Sequence, residues 1–192
     1  MLDLSQLSKY KENNRIEAKK AQGGLPRSIW ETYSAFANTF GGYILLGVVE
    51  NADKSFSSVP LSSPEKIVSD LWNSVNNHSV VNVNILSDRN VQIVESGGNR
   101  IVIIEVPRAD SHDNPVYIGT DPFAGSYRRN GEGDYHCTKD EVRAMMRDQA
   151  DISQDARVMD TMTTDVFDMD TIRRYRQRMD NLRPGHVWSE LA

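Results

Sequence analysis

The chain has 192 residues, 39% of them hydrophobic and 26% charged, which is enough apolar material to bury a core. A single cysteine, Cys137, excludes an internal disulfide, and the four histidines offer no HExxH spacing for a zinc site. The formal net charge of −5 excludes the whole-domain basic excess of an electrostatically driven DNA binder, so any contact with nucleic acid must be local.

No apolar run approaches the ~20 residues a membrane-spanning helix needs, and the opening MLDLSQLSKYKENN lacks the apolar stretch of a signal peptide. A cytoplasmic protein with no membrane partner is the expectation. Within residues 1–30 the charge is uneven: Lys9, Lys11, Arg15, Lys19, Lys20 and Arg27 stand against Asp3, Glu12 and Glu17.

In chain order, a short helix is predicted around Leu4–Tyr10, and Arg15–Ala21 reads as an extended segment before the breakers Gly23, Gly24 and Pro26. A helix follows from near Pro26, with Ile29, Tyr33, Phe36, Ala37 and Phe40 at helical spacing. Gly41 and Gly42 stop it, and Tyr43–Val49 is a continuous apolar run of strand length. A second amphipathic helix is predicted over Ser63–Asn76, with Pro64 in its first turn and Ile67, Val68, Leu71, Trp72 and Val75 on one face.

Three Val- and Ile-rich strands are expected next, Val80–Leu86, Val91–Glu95 and Ile101–Val106, separated by hairpin-length breaks. Pro115–Gly119 and Ser126–Arg129 read as shorter strands around a Gly/Pro loop. Thr138–Arg147 reads as a helix in which Thr138 and Glu141 have capping-box spacing. From residue 149 the apolar period is lost until a helix over Met169–Met179, which breaks at Pro184–Gly185. The expected division is a domain over residues 1–148, then a linker and the start of a following region over 149–192, in a longer protein.

Glu12-Asn-Asn-Arg-Ile-Glu17-Ala-Lys19, then Ala35-Phe-Ala-Asn38-Thr39-Phe-Gly41-Gly42 and the strand ending Gly47-Val48, resemble the Schlafen AlbA_2 family. The family's pattern is E-x4-E-x-K, a helix ending A-N-T-x-G-G, and a strand ending G-V before acidic residues. Ser126-Tyr127-Arg128-Arg129-Asn-Gly131 is similar to its closing Y-x-R-x-G strand. The resemblance, over roughly residues 8–148, implies an α/β (α+β) fold: a mixed β-sheet flanked by helices. It also implies a nucleic-acid-binding module, with DNA the expected target, joined in bacteria to transcriptional regulators or ATP-dependent helicase-related proteins.

In some eukaryotic relatives the same core is an endoribonuclease using two glutamates and an aspartate. Those acids fall here on Glu12, Glu17 and the position after Gly47-Val48, where Val49 replaces the usual Asp and Glu50 is the nearest carboxylate. Such a trio would hold Mg²⁺ or Mn²⁺, hard cations that take oxygen ligands and activate water. Residues 12 and 17 are an odd number apart, so in a straight strand they would face opposite ways, and convergence needs a bend at Asn13-Asn14. The plainer alternative leaves Glu12 solvated and pairs Glu17 with Lys19 or Arg15.

Lys19 shares a face with Glu17, and Arg128 and Arg129 can grip backbone phosphates, unless they form a solvated strand edge. Asn38, Thr39, Gly41 and Gly42 can offer backbone N–H groups to a phosphate. Their order of helix, turn and strand is the reverse of a P-loop, which discounts ATP and favours a sharp turn capped by Asn38. Tyr135-His136-Cys137 lacks an orienting third group for a nucleophile. Met145, Met146, Trp30 and Trp72 read as core. The leading expectation is therefore nucleic-acid binding, with self-association admitted. A metal-dependent RNA nuclease is the alternative, and a protein-interaction scaffold the third.

Overall fold

The computed structural model describes residues 12–150 and 168–183. Contacts divide the chain into two units, Met1–Ile152 and Ser153–Ala192. The predicted helix at Leu4–Tyr10 and nearly all of the predicted linker lie outside the described residues.

The first unit is built on a four-stranded sheet of order β1 (Ile16–Lys19), β2 (Gly42–Leu46), β6 (Asn99–Val106) and β5 (Val91–Ser96). β1 and β2 run parallel, joined through helix α1 (Ile29–Ala37), and the other pairings are antiparallel. The β5–β6 turn places Gly97 and Gly98 at φ +58° and +77°, the two positive values a tight two-residue hairpin demands.

Both central strands read as continuous apolar runs because both faces of the sheet are covered. Ile44, Leu46, Val102, Ile104 and Val106 pack with Ile29, Tyr33 and Phe36 of α1 and with Ile67, Leu71 and Val75 of helix α2 (Pro64–Val75). The alternate residues Leu45, Ile101 and Ile103 face the other way, onto Ile16, Val48 and Phe56. Strand alternation thus feeds two separate cores from one sheet.

The predicted strand Tyr43–Val49 is cut in two. Gly47 sits at φ +83°, and a Cβ there would lie 2.9 Å from the Leu61 side chain. The chain turns out of the sheet at that point and pairs β3 (Val48–Glu50) with β4 (Phe56–Ser58). The run Val80–Leu86 is not a strand either. Val81 and Leu86 are buried, yet regular pairing there shrinks to a single bridge, Val81 with Ile118, while Asn82 binds the backbone of Pro115 and Tyr117 through its side chain. Apolar content there reports burial rather than a ladder. Pro115–Gly119 likewise forms only isolated bridges, and the short helix α3 (Pro122–Gly125) follows it.

Ser126–Arg129 corresponds to β7 (Tyr127–Asn130), which pairs with β8 (Gly133–His136) across a turn with Gly131 at φ +60°. Helix α4 (Lys139–Ala150) starts as its sequence predicts: the Thr138 N–H donates to Glu141 Oε2 (2.7 Å) and the Glu141 N–H to Thr138 Oγ1 (3.2 Å). Cys137 just before it is buried, and burial first, then the Glu141 charge, push its thiol up to about 11. His136 stacks on Tyr127 with ring centroids 4.2 Å apart. Met146, expected in the core, is exposed at 42%, and Phe40, expected on the apolar period of the first helix, lies beyond its end at Ala37 and is 58% exposed.

In the second unit, α5 (Met169–Leu182) is capped by Asp168, whose carboxylate accepts from the N–H groups of Asp170 and Thr171. Among the described residues no helix is long and apolar enough to cross a membrane.

Candidate functional site

The chain between Glu12 and Glu17 does bend. Asn13 and Ile16 bridge each other around a turn at Asn14-Arg15, and the Arg15 N–H donates to Asn13 Oδ1 (2.7 Å). This folds Glu12 back along β1, where its Oε1 accepts from the Ala18 N–H at 3.2 Å. Burial holds the Glu12 carboxyl above its ordinary value against the pull of that N–H, and the charges of Glu17 and Glu50 add to the rise. The three carboxylates therefore share one region, with Glu50 arriving on β3.

They do not share one ligand position. Glu17 Oε1 accepts from Lys19 Nζ (3.0 Å) and its Oε2 from Arg129 Nη2 (2.9 Å), so both oxygens already face cations. Glu50 Oε2 is 3.1 Å from Lys54 Nζ, while its Oε1 is buried without a hydrogen bond. Among the described residues no group of three His, Cys, Asp or Glu side chains is disposed to hold a metal ion. As arranged, the trio does not fit Mg²⁺ or Mn²⁺.

Arg129 is the hub of this region. Its side chain is only 1% exposed. Ile16 and Ala18 pack with the second core, so Glu17 leaves the opposite face of β1 and meets the arginine arriving from β7. On its other side Arg129 Nη1 binds Asp134 Oδ1 (2.8 Å), its register partner on β8, and Asp134 Oδ2 accepts from Thr32 Oγ1 of α1 (2.7 Å). The guanidinium lies 5.1 Å from the Phe36 ring centroid and also donates to the Asn13 carbonyl (3.0 Å). Burial alone would lower its pKa; Asp134 and Glu17 outweigh that and hold it above the ordinary value. One cation thus ties together β1, α1, β7 and β8.

Arg128, one residue earlier, points the other way. Its side chain is 40% exposed and its Nε lies 3.1 Å from Glu141 Oε1 on α4. Lys19 is the more enclosed of the remaining cations, at 14%.

The Asn38–Gly42 turn is knotted into the fold. Asn38 Nδ2 donates to the carbonyls of Val116 (2.8 Å) and Tyr127 (2.9 Å), and its Oδ1 accepts from the Val116 N–H (2.8 Å). Thr39 Oγ1 donates to the Ala35 carbonyl and accepts from the Arg129 N–H (3.0 Å). The N–H groups of Asn38, Thr39 and Gly41 donate to carbonyls of α1. A Cβ on Gly41 would meet the Val106 carbonyl at 2.8 Å, and one on Gly42 the Arg15 carbonyl at 2.8 Å. These groups already have partners other than a phosphate.

Sequence reasoning missed Asp134 and Thr32. The signal was available in part: Gly131-Glu132, with glycine first, suits a two-residue hairpin turn, and a hairpin there sets Asp134 opposite Arg129.

Taken together, a mixed sheet covered on one face by two helices, with a closing hairpin locked to β1 through a buried arginine, defines a small α+β domain. A family model described as Schlafen, AlbA_2 matches residues 9–138, and the chain belongs to that family. A second model, for a domain of unknown function (DUF8451), matches residues 143–192.

Among solved structures, the N-terminal domain of an ATP-dependent DNA helicase RecG-related protein from Nitrosomonas europaea is 35% identical, with a TM-score of 0.51, and the match covers 70% of this chain and 90% of that one. The DIP2311 protein of Corynebacterium diphtheriae is 16% identical with a TM-score of 0.47, over 93% of this chain and 31% of that one. No curated protein matches the chain.

Proposed function

We propose that residues 1–148 form a nucleic-acid-binding domain, with DNA as its target, at the N-terminus of a transcriptional regulator, and that 149–192 lead into the region that follows. The observation that carries this reading is the likeness, at 35% identity, to the N-terminal domain of a RecG-related protein. Such a reading implies a cytoplasmic setting, and the exposed Met169, Tyr175 and Leu182 of α5 support self-association.

Phosphate contact falls to Lys19 and Arg128. Arg129 becomes a positioning residue: clamped by Glu17 and Asp134, it orients β7 so that Arg128 leaves the opposite face. Because few cations take part, binding should be weak and salt-sensitive. Fluorescence anisotropy with single- and double-stranded oligonucleotides at several salt concentrations tests this. Lys19→Ala and Arg128→Ala should each lower affinity and reduce the salt slope by about one. A double variant that binds as the wild type does removes both residues from the interface.

The nearness of Glu12, Glu17 and Glu50 raises a metal-dependent endoribonuclease as the second reading, and the ion pairs of Glu17 with Lys19 and Arg129 and of Glu50 with Lys54 weigh against it. Glu17→Gln would also disturb Arg129, so Glu12→Gln is the cleaner variant. Cleavage of structured RNA that requires Mg²⁺ or Mn²⁺ and disappears in Glu12→Gln would establish this second reading over the first.

A further inference from the structure

A cavity of about 670 Å³ lies away from the carboxylates, between the loop that follows β1 and one flank of α2. Arg27 from the loop and Lys66 from the helix both line it, and neither carries an ion pair among the described residues. Ser62 and Ser63 add two hydroxyls, and Ser63, although it is the N-cap residue of α2, makes no side-chain cap hydrogen bond. Trp30, which is 9% exposed, lines the cavity with Leu25 and Ile67, and Asp70 is the single carboxylate in the wall. On the loop side Gly23 and Gly24 border open space, and the φ of +100° at Gly24 favours glycine there.

We propose that this cavity binds a nucleoside 5′-phosphate, either as a free nucleotide or as the phosphorylated end of a single strand. Its wall has the composition such a ligand requires: unpaired cations, an acceptor and an apolar surface within one concavity of ligand size. Arg27 and Lys66 take the phosphate, the guanidinium through a fork of two N–H donors and the ammonium as a point charge. Asp70 accepts from sugar hydroxyls or a base amino group. Leu25 and the exposed part of Trp30 offer the base an apolar surface. The same carboxylate disfavours an acidic peptide, which would bring negative charge to both ends of the site. The site shares no residue with the Lys19 and Arg128 interface, so substitutions at Arg27 and Lys66 test it separately from that interface.

The test is calorimetric titration of the full chain with AMP, with adenosine and with inorganic phosphate. AMP should bind, and each of the other two at least about tenfold more weakly, because each satisfies only half of the wall. Arg27 and Lys66 are exposed, so the double variant Arg27→Ala/Lys66→Ala should keep its circular dichroism and melting curve while losing at least about tenfold in AMP affinity. Asp70→Asn should weaken AMP, while inorganic phosphate binds no more weakly than to the wild type.

Anisotropy of a single strand with and without a 5′-phosphate separates the two sources. A preference for the phosphorylated strand that disappears in the double variant assigns the site to a strand end, and AMP binding without that preference assigns it to a free nucleotide. The proposal is overturned if AMP fails to bind at millimolar concentration, if phosphate binds as tightly as AMP, or if a folded double variant binds AMP as the wild type does.

Discussion

The knot around Arg129 and the wall around Arg27 and Lys66 both gather cations beside carboxylates, and they do opposite things with them. At the knot the guanidinium is 1% exposed and meets Glu17, Asp134 and a backbone carbonyl, because a buried charge is tolerated only when its partners are in place. At the wall two exposed cations are left without ion pairs among the described residues and so remain free for a ligand. A motif arginine can therefore be architecture, while unremarked surface cations carry the binding potential. Neighbours in sequence repeat the lesson: strand alternation sends Arg129 inward and Arg128 outward to Glu141.

That contrast breaks first, and most severely, at Arg129. Arg129→Ala takes the guanidinium from two largely buried carboxylates, leaving Glu17 only Lys19 and Asp134 only the Thr32 hydroxyl, and urea unfolding should show a loss of about 3–5 kcal/mol. A loss below about 1 kcal/mol would mean that the knot is no more important than a surface pair. Combining Arg129→Met with Glu17→Gln and Asp134→Asn should recover much of the stability, since of the charges involved only Lys19 then lacks its carboxylate.

Asn38→Ala should rank next, at about 2–3 kcal/mol, because it leaves the N–H of buried Val116 and the Tyr127 carbonyl without their side-chain partner, while the Val116 carbonyl keeps Ser34 Oγ. A variant of wild-type stability would show that water replaces the amide. Arg128→Ala sharpens the comparison from the other side: its ion pair is exposed, so the cost should stay below about 1 kcal/mol. An oligonucleotide affinity that falls without a matching loss of stability would separate the two arginines.

The smallest effect concerns pH. The Cys137 thiol has an ordinary value of 9.0 and is pushed up to about 11 in the fold. Between those values the unfolded chain ionises while the folded one does not, so stability drains toward the unfolded state as pH rises. Unfolding curves at pH 9 and pH 11 should show the wild type losing ground relative to Cys137→Ala. Parallel pH profiles for the two proteins would refute the assignment.

Local chemistry was legible wherever a short-range rule decides. The apolar period of Ile67, Leu71 and Val75, the Thr138–Glu141 capping box, the Gly97-Gly98 turn and the bend demanded between Glu12 and Glu17 all follow from spacing within a few residues. The ordered blocks that resemble the family carried the fold class.

What only the tertiary structure decided is pairing across long separations. No period distinguishes a strand that ends at Gly47 from one that runs on to Val49, because the break comes from Leu61 closing over the glycine. Nor does any local pattern reveal that Arg129 meets Glu17 and that Asp134 meets Thr32, more than a hundred residues away in each case. Period two says that Arg128 and Arg129 part company. Which of them is buried depends on where α1 and β1 lie against the hairpin, and that is a property of the packed chain.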